Sequence, residues 1–308
     1  MEHFLAAIVV AATPLIFATL GELLSEKVGN LNLGVEGMML MGAVVAFKAG
    51  LAGALPPVVV VAGFLAGACG AAIYAVLTIS LRTNQVVTGL ALTIFGTGFA
   101  GFMGKGVAGV VLPKALRVAF EPIEIPLLSK IPFIGEAFFK QDILVYIAFA
   151  CVILTWIYMS KTRIGLNTRA VGENTAAADA SGINVTRYKY LNVIIGGGLC
   201  GLGGAYMSIV TIPVWQENVV AGRGWIAVAL VIFASWKPGK AFLGALLFGA
   251  LSILGYRLQA VGISVSQYLV DMIPYATTII IVIISTRKNR KEDLPPGDLG
   301  NAYFREER

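Results

Sequence analysis

The chain has 308 residues, of which 57% are hydrophobic and only 13% charged, whereas a soluble domain carries about a quarter of its residues charged. The net charge of +6 is spread between apolar runs, and the three cysteines, Cys69, Cys151 and Cys200, all lie inside such runs. A soluble globular domain and a disulfide framework are thereby excluded, the basic residues report membrane orientation rather than a nucleic-acid surface, and the cysteines are expected as small packing residues.

Apolar runs of about 17 to 25 residues suit membrane-crossing helices. In chain order they fall near 4–21, 33–52, 55–80, 86–103, 142–160, 191–210, 225–236, 240–257 and 268–285. None alternates with the period of two that a lipid-facing barrel strand requires. The expected fold class is therefore an all-α polytopic membrane protein with about nine transmembrane segments, within a range of 8-10, filling residues 1–286. The first run lacks a basic flank and a small-residue cleavage site, so it reads as a retained span. His3 is solitary.

The second run opens with "LNLGVEGMMLMG", where Glu36 and the glycines suggest a broken or interior helix. An acid within the membrane is costly unless it is paired or faces water. Asn30, Asn32 and Glu36 therefore mark either a broken-helix site, with Glu36 accepting backbone N–H groups, or part of a substrate path. Asn84, Gln85 and Thr88 head the fourth run. Helix capping is the plainer role for Asn84 and Gln85, and contact with a passing solute is the alternative. Thr93, farther along, is expected to bond its own helix backbone.

Residues 104–141 alternate short apolar groups with Pro and charge, as an interfacial hairpin or amphipathic connection does. Residues 161–190 are polar, rich in alanine and basic at both ends. Two antiparallel helices need only a short connection, so the length of this one suggests a docking element. Asn174 is placed to cap a short helix from Thr175 to Ser181, and Gly182 to end it in a left-handed conformation.

"GGGLCGLGGAYMS" at 196–208 lacks the Lys-Ser/Thr ending of a phosphate loop, so its glycines are expected to admit close helix packing. Trp215, Gln216, Glu217 and Asn218 follow, with Trp215 expected as an interface anchor and contact with a docking protein as the alternative. Asp271 and Pro274 suggest a kink with a buried acid. Residues 287–308 read as a basic stop and a flexible tail.

Nine spans place the termini on opposite sides. Lys27, Arg82, Lys161, Arg163, Arg169, Arg187, Lys189, Lys237, Lys240 and the basic tail then share one side, which the positive-inside rule makes cytoplasmic. The N-terminus and residues 104–141 are thereby expected outside, and 161–190 and the tail inside.

Three stretches carry a family resemblance: "NLNLGVEGMMLMGA" (30–43), "GLNTRAVGENTAAADASGINVTRYKY" (165–190) and the glycine cluster at 196–208. In this order and spacing, over roughly residues 5 to 286, the chain resembles ABC importer permeases of the branched-chain amino acid and simple sugar superfamily. It is most similar to the nucleoside type served by basic membrane lipoproteins. The resemblance implies a multi-pass subunit of the bacterial cytoplasmic membrane, embedded in lipid, that translocates a nucleoside or simple sugar. It implies no catalytic residue, metal or cofactor of its own, ATP and Mg being held by a partner ABC ATPase. It implies also an extracytoplasmic substrate-binding lipoprotein and a second permease subunit, non-identical or a second copy. Nucleic acid is not an expected partner.

In such permeases the middle cytoplasmic segment is a coupling helix that fits a cleft on the ATPase. Ala176, Ala177 and Ala178 match the alanine triplet of the importer motif and Gly182 its glycine, while the usual glutamate and the later Leu-Pro are missing. The residues carried over are Glu173, Asn174, Ala176, Ala177, Ala178, Asp179 and Gly182, and whether Glu173 replaces the lost carboxylate stays open. A branched-chain amino acid permease is the alternative within the superfamily. An ion-coupled carrier would need repeats and an ionisable relay, and a membrane enzyme would need a catalytic pair; the sequence displays neither.

Overall fold

In hydrocarbon a backbone can satisfy its N–H and C=O groups within one segment only as a helix, and the apolar runs obey that constraint. The computed structural model describes residues 2–126, 129, 131, 135–260 and 294–305, with scattered positions between 272 and 283. The long elements are α1 (Glu2–Lys27), α2 (Val35–Leu51), α3 (Pro56–Ala75) and α4 (Gln85–Gly104). The connection that follows contains α5 (Lys114–Ala119), β1 (Ile123–Glu124), α6 (Gly135–Phe139) and β2 (Lys140–Gln141). Then come α7 (Ile143–Lys161), α8 (Arg163–Glu173), α9 (Thr175–Ala180), α10 (Val185–Tyr206), α11 (Arg223–Phe233) and α12 (Pro238–Ala260). Wider π turns, Val76–Ser80 and Met207–Thr211, extend α3 and α10.

Five described helices are long and apolar enough to cross a membrane: His3–Lys27, Pro56–Ser80, Gln85–Gly104, Ile143–Lys161 and Val185–Thr211. The runs expected at 33–52 and 225–236 form helices of 17 and 11 residues. The latter spans about 16 Å, roughly half the hydrocarbon core. The run at 240–257 lies in the 23-residue α12. The expected span at 268–285, with Asp271 and Pro274, lies largely outside the described residues.

Helices α1, α2 and α10 form the interior, while α3, α4 and α7 turn residues such as Leu65, Ile94, Phe102, Ile153 and Leu154 outward. Glycine permits the central contacts. A Cβ on Gly196 would strike the carbonyl oxygen of Gly21, and one on Gly42 would strike the Gly201 backbone, so α10 lies backbone to backbone on α1 and on α2. The glycine cluster thus serves close packing. Cys200 is buried there, with its thiol 3.7 Å from the Ala18 carbonyl, whereas Cys151 is half-buried and Cys69 is exposed.

The helix ends sort to two poles. At one, Leu112 N donates to Pro213 O and Gly109 N to Trp215 O, tying residues 104–141 to the turn after α10. Strands β1 and β2 pair antiparallel, and Glu124 forms an ion pair with Lys140 across them, which lowers the carboxyl pKa and raises that of the amine. His3 is not solitary: its Nδ1 lies 2.8 Å from Glu136 Oε1. At the other pole lie the turn 28–34, the start of α4, α8, α9 and residues 294–305. These last residues are docked rather than loose, because their polar groups find fixed partners on four separate segments.

Candidate functional site

The turn 28–34 between α1 and α2 is held by side chains from three neighbours. Asn32 is wholly buried; its backbone N–H donates to Glu22 Oε1 at 3.1 Å and its Oδ1 accepts from Gly34 N at 2.9 Å. Asn30 Nδ2 donates to Thr78 Oγ1 at 3.4 Å, in the π turn after α3. Gln85 was expected to cap α4, but only Asn84 does so, its Oδ1 accepting from Val87 N at 3.0 Å. Gln85 instead accepts from Leu31 N at 2.7 Å and donates to Asn301 O at 3.3 Å, because its longer side chain reaches across to the turn. Thr88 donates to Asn84 O at 2.7 Å. Thr93 bonds the Leu33 carbonyl at 2.9 Å rather than its own helix, since α4 packs directly on this turn.

Glu36 occupies a second centre. Its Oε1 accepts from Gly222 N at 2.8 Å and its Oε2 from Gly224 N at 2.6 Å, so the carboxylate sits on the first N–H groups of α11. The positive end of that helix and the two donors replace the water the acid has lost. Helix α2 is continuous, so the expected break does not lie in it. The broken element is α11, reached by an irregular stretch with positive φ at Asn218, Ala221 and Gly222. Trp215 packs tilted against Phe47 with ring centroids 5.5 Å apart, whereas Gly222 and Gly224 meet Glu36. Phe47 and Glu36 lie eleven residues apart on α2, so the stretch descends about 16 Å along that helix. Trp215 is 1% exposed and therefore not an interface anchor; the descending chain carries it inward.

The third centre is α8 and α9. Asn174 Oδ1 accepts from Ala177 N at 2.8 Å, capping α9, and Gly182 follows at φ +83°. The six-residue rod has two faces: Ala176 and Ala177 are exposed, whereas Thr175 and Ala178 are buried. Glu173 is exposed beside Lys27, the two lining a shallow cavity with Arg169 and Pro296. Asp179 does not project freely, because it accepts from Tyr303 Oη at 2.6 Å and lies 3.3 Å from Arg305 Nε.

A cavity of about 760 Å³ opens at this pole between the α9–α10 turn, Arg82, Lys189, Tyr303 and Arg305. One of about 380 Å³ lies toward the other pole, lined by Leu40, Thr97, Lys105, Trp215, Glu217 and Asn218. The residues singled out as a possible substrate path are thus split: Asn30, Asn32 and Gln85 converge on the 28–34 turn, Asn84 and Thr88 serve the start of α4, and Glu36 stands apart at α11.

Two buried acids escaped the sequence reading. Glu22 and Glu26 are both 0% exposed on α1; Glu26 Oε2 accepts from Trp236 Nε1 at 2.5 Å, Glu22 Oε1 accepts from Asn32 N at 3.1 Å, and the two carboxyl groups lie within hydrogen-bonding reach of each other. The signal was present in "GELLSEK", whose two glutamates are four apart and share a helix face. A first run that ends at residue 21 leaves both glutamates outside it, whereas α1 continues to Lys27.

A mostly helical membrane bundle, its one sheet among the described residues the short β1–β2 pair where all-α was expected, with buried polar groups clamping its turns and a half-length helix set on a buried carboxylate, is the architecture of a transport-type integral membrane protein. The chain belongs to the family described as the permease component of the branched-chain amino acid transport system, whose model matches residues 4–282. It is 38% identical over 98% of its length to TsgC13 of Haloferax volcanii, named as a candidate glucose ABC transporter permease, covering 97% of that protein. It is 35% identical to the nucleoside ABC transporter permease NupC of Lactococcus lactis, covering 92% of each chain, and 35% identical to the guanosine permease NupQ of Bacillus subtilis, covering 89% of each. A solved structure of a candidate metal-chelate type ABC transporter, in an inward-facing conformation, matches with a TM-score of 0.50 at 11% identity, covering 91% of this chain and 85% of that one. That likeness concerns the fold alone. The chain is a transporter permease and not an enzyme.

Proposed function

We propose that this chain is the membrane subunit of an ATP-driven importer that carries a nucleoside or simple sugar inward. The bundle crosses the membrane nine times, with its N-terminus outside and α8, α9 and residues 294–305 in the cytoplasm. The observation that carries this reading is the α8–α9 module: a capped rod with an exposed Ala176–Ala177 face, set among the basic residues of one pole. A separate ATPase grips that face, holds ATP and Mg, and drives alternating access by contacting it differently in its open and closed states. The contact passes on efficiently because α8 lies directly against the end of α1, where a Cβ on Gly172 would strike the Lys27 carbonyl.

The names of NupC, NupQ and TsgC13 support a hydroxyl-rich solute. Such a solute loses water in the membrane and needs replacement hydrogen bonds. Asn32, Gln85 and Glu36 are already engaged by backbone and Asn30 by the Thr78 hydroxyl, so they frame the path. Thr97, Glu217 and Asn218, around the 380 Å³ cavity, face the side from which an extracytoplasmic binding lipoprotein delivers. A second permease, non-identical or another copy, covers the outward apolar faces of α3 and α4. The location is a bacterial cytoplasmic membrane.

Uptake of labelled guanosine, uridine, ribose and leucine by a strain lacking the chain, with and without a plasmid copy, tests this. Restored nucleoside or ribose uptake that stops on ATP depletion is expected. Restoration of leucine alone would move the assignment to amino acids, and uptake that survives ATP depletion but collapses with the ion gradient would defeat the importer reading.

A further inference from the structure

Residues 294–305 join α9 to the turn that the path-framing side chains converge on. Asp298 Oδ2 accepts from the backbone N–H of Thr175 at 2.5 Å, the first residue of α9, and its own N–H donates to Gly172 O at 3.0 Å. Two residues on, Gly300 N donates to Gly29 O at 3.2 Å, and Asn301 O accepts from Gln85 Nε2 at 3.3 Å. Tyr303 and Arg305 then return to α9, both reaching Asp179. Phe304 packs under the Arg82 guanidinium, 4.9 Å from ring centroid to Cζ. A short peptide thus contacts both ends of α9, the last turn of α8, the α1–α2 turn and the first residue of α4.

A six-residue helix has too few internal hydrogen bonds to hold its own position. Helix α9 has Asn174 as a cap, a Thr175 hydroxyl bond to Val171 O at 2.8 Å and a buried face at Thr175 and Ala178, and this peptide adds side-chain bonds at both of its ends. A carboxylate on an N-terminal N–H is charge-assisted and among the stronger single bonds a helix end can make. The hydroxyl of Tyr303 on Asp179 fixes the opposite end.

We infer that Asp298 and Tyr303 are positioning residues for transport: they hold α9 at a fixed offset from the Leu31–Gln85 contact, so that a displacement of α9 moves the 28–34 turn. This rests on the reading of α9 as the contact for the ATPase. Asp298 acts through the Thr175 amide and through Gly300 and Asn301 on the same peptide, and it touches no solute.

The test uses the assembled transporter in lipid nanodiscs and proteoliposomes, comparing Asp298→Ala, Asp298→Asn and Tyr303→Phe. Hydrogen exchange across residues 173–184 is measured beside solute imported per ATP hydrolysed. Loss of a charge-assisted bond at a helix end is expected to speed exchange there about tenfold. Asp298→Ala and Tyr303→Phe should both do so and import fewer solute molecules per ATP, with hydrolysis continuing. Asp298→Asn, which keeps an acceptor oxygen, should recover most of the ratio. Unchanged exchange in Asp298→Ala and Tyr303→Phe would overturn the positioning of α9. Faster exchange with an unaltered ratio would overturn its role in transport. If Ala177→Trp imports normally, the ATPase contact itself is wrong, whatever the exchange data give.

Discussion

Glu36 and Gly224 meet through a 2.6 Å hydrogen bond from the glycine N–H to Oε2, and the glycine has no room for a side chain because a Cβ would lie 2.5 Å from the Glu36 backbone. Acid and glycine are therefore one unit. Glu36→Gln replaces one acceptor oxygen with a donor facing an N–H, at a cost of about 1–3 kcal/mol. The variant is expected to lower thermal stability in detergent and uptake together. Gly224→Ala should do the same through steric overlap. Wild-type melting and uptake in both would show that the α11 start does not depend on this contact.

The two faces of α9 separate docking from folding. Ala177 is exposed and Ala178 is 4% exposed. Ala177→Trp should leave membrane abundance and melting unchanged while import falls, because bulk is added only to the outer face. Ala178→Trp forces a large ring into a filled site, which costs about 1–3 kcal/mol or more, so the protein itself should become less abundant. Import by Ala177→Trp at the wild-type level would remove this face as a docking surface.

Trp236→Phe deletes the indole N–H that serves Glu26 and leaves its Oε2 without that donor in a buried site. A destabilisation of about 1–3 kcal/mol is expected, read as a lower melting temperature in detergent. Glu26→Gln keeps an oxygen for the indole and should be milder than the tryptophan change. The reverse ranking would mean that the glutamate matters for its charge rather than for this bond.

At the α1–α10 contact, Gly196→Val places a branched side chain against the Gly21 backbone. Overpacking of this kind costs about 1–3 kcal/mol when side chains can yield, and backbone cannot. Membrane-inserted yield should fall severalfold, whereas Gly98→Val, on the open side of α4, should be tolerated. Equal yields would contradict the interhelical approach.

Composition and run length were enough to reveal a helical membrane bundle, and local capping chemistry located α9: Asn174, the alanines and Gly182 stand where their residue types demanded. What stayed hidden was long-range. A glutamate in a span announces that it needs partners but not which ones, so Glu36 was read with its own helix when its donors lie 186 and 188 positions away. Gln85 and Thr93 misled for the same reason, each preferring a distant backbone group over a local one. Trp215 resembled an interface residue because its neighbours are polar, and only the inward descent of residues 215–222 buries it. The tail has a Pro-Pro-Gly break and many charges, the composition of a loose end. Asp298 and Tyr303 give it order because α9 supplies an N–H and an acid at matching positions.

The peptide that fastens α9 is encoded more than a hundred codons downstream of it. On a ribosome α9 is therefore made well before its clasp, and its final position is set only after α10, α11 and α12, which lie between the two, have been made. A product truncated before Asp298 would therefore keep α1 to α12 and lose the bonds that the peptide makes to Thr175 and Asp179.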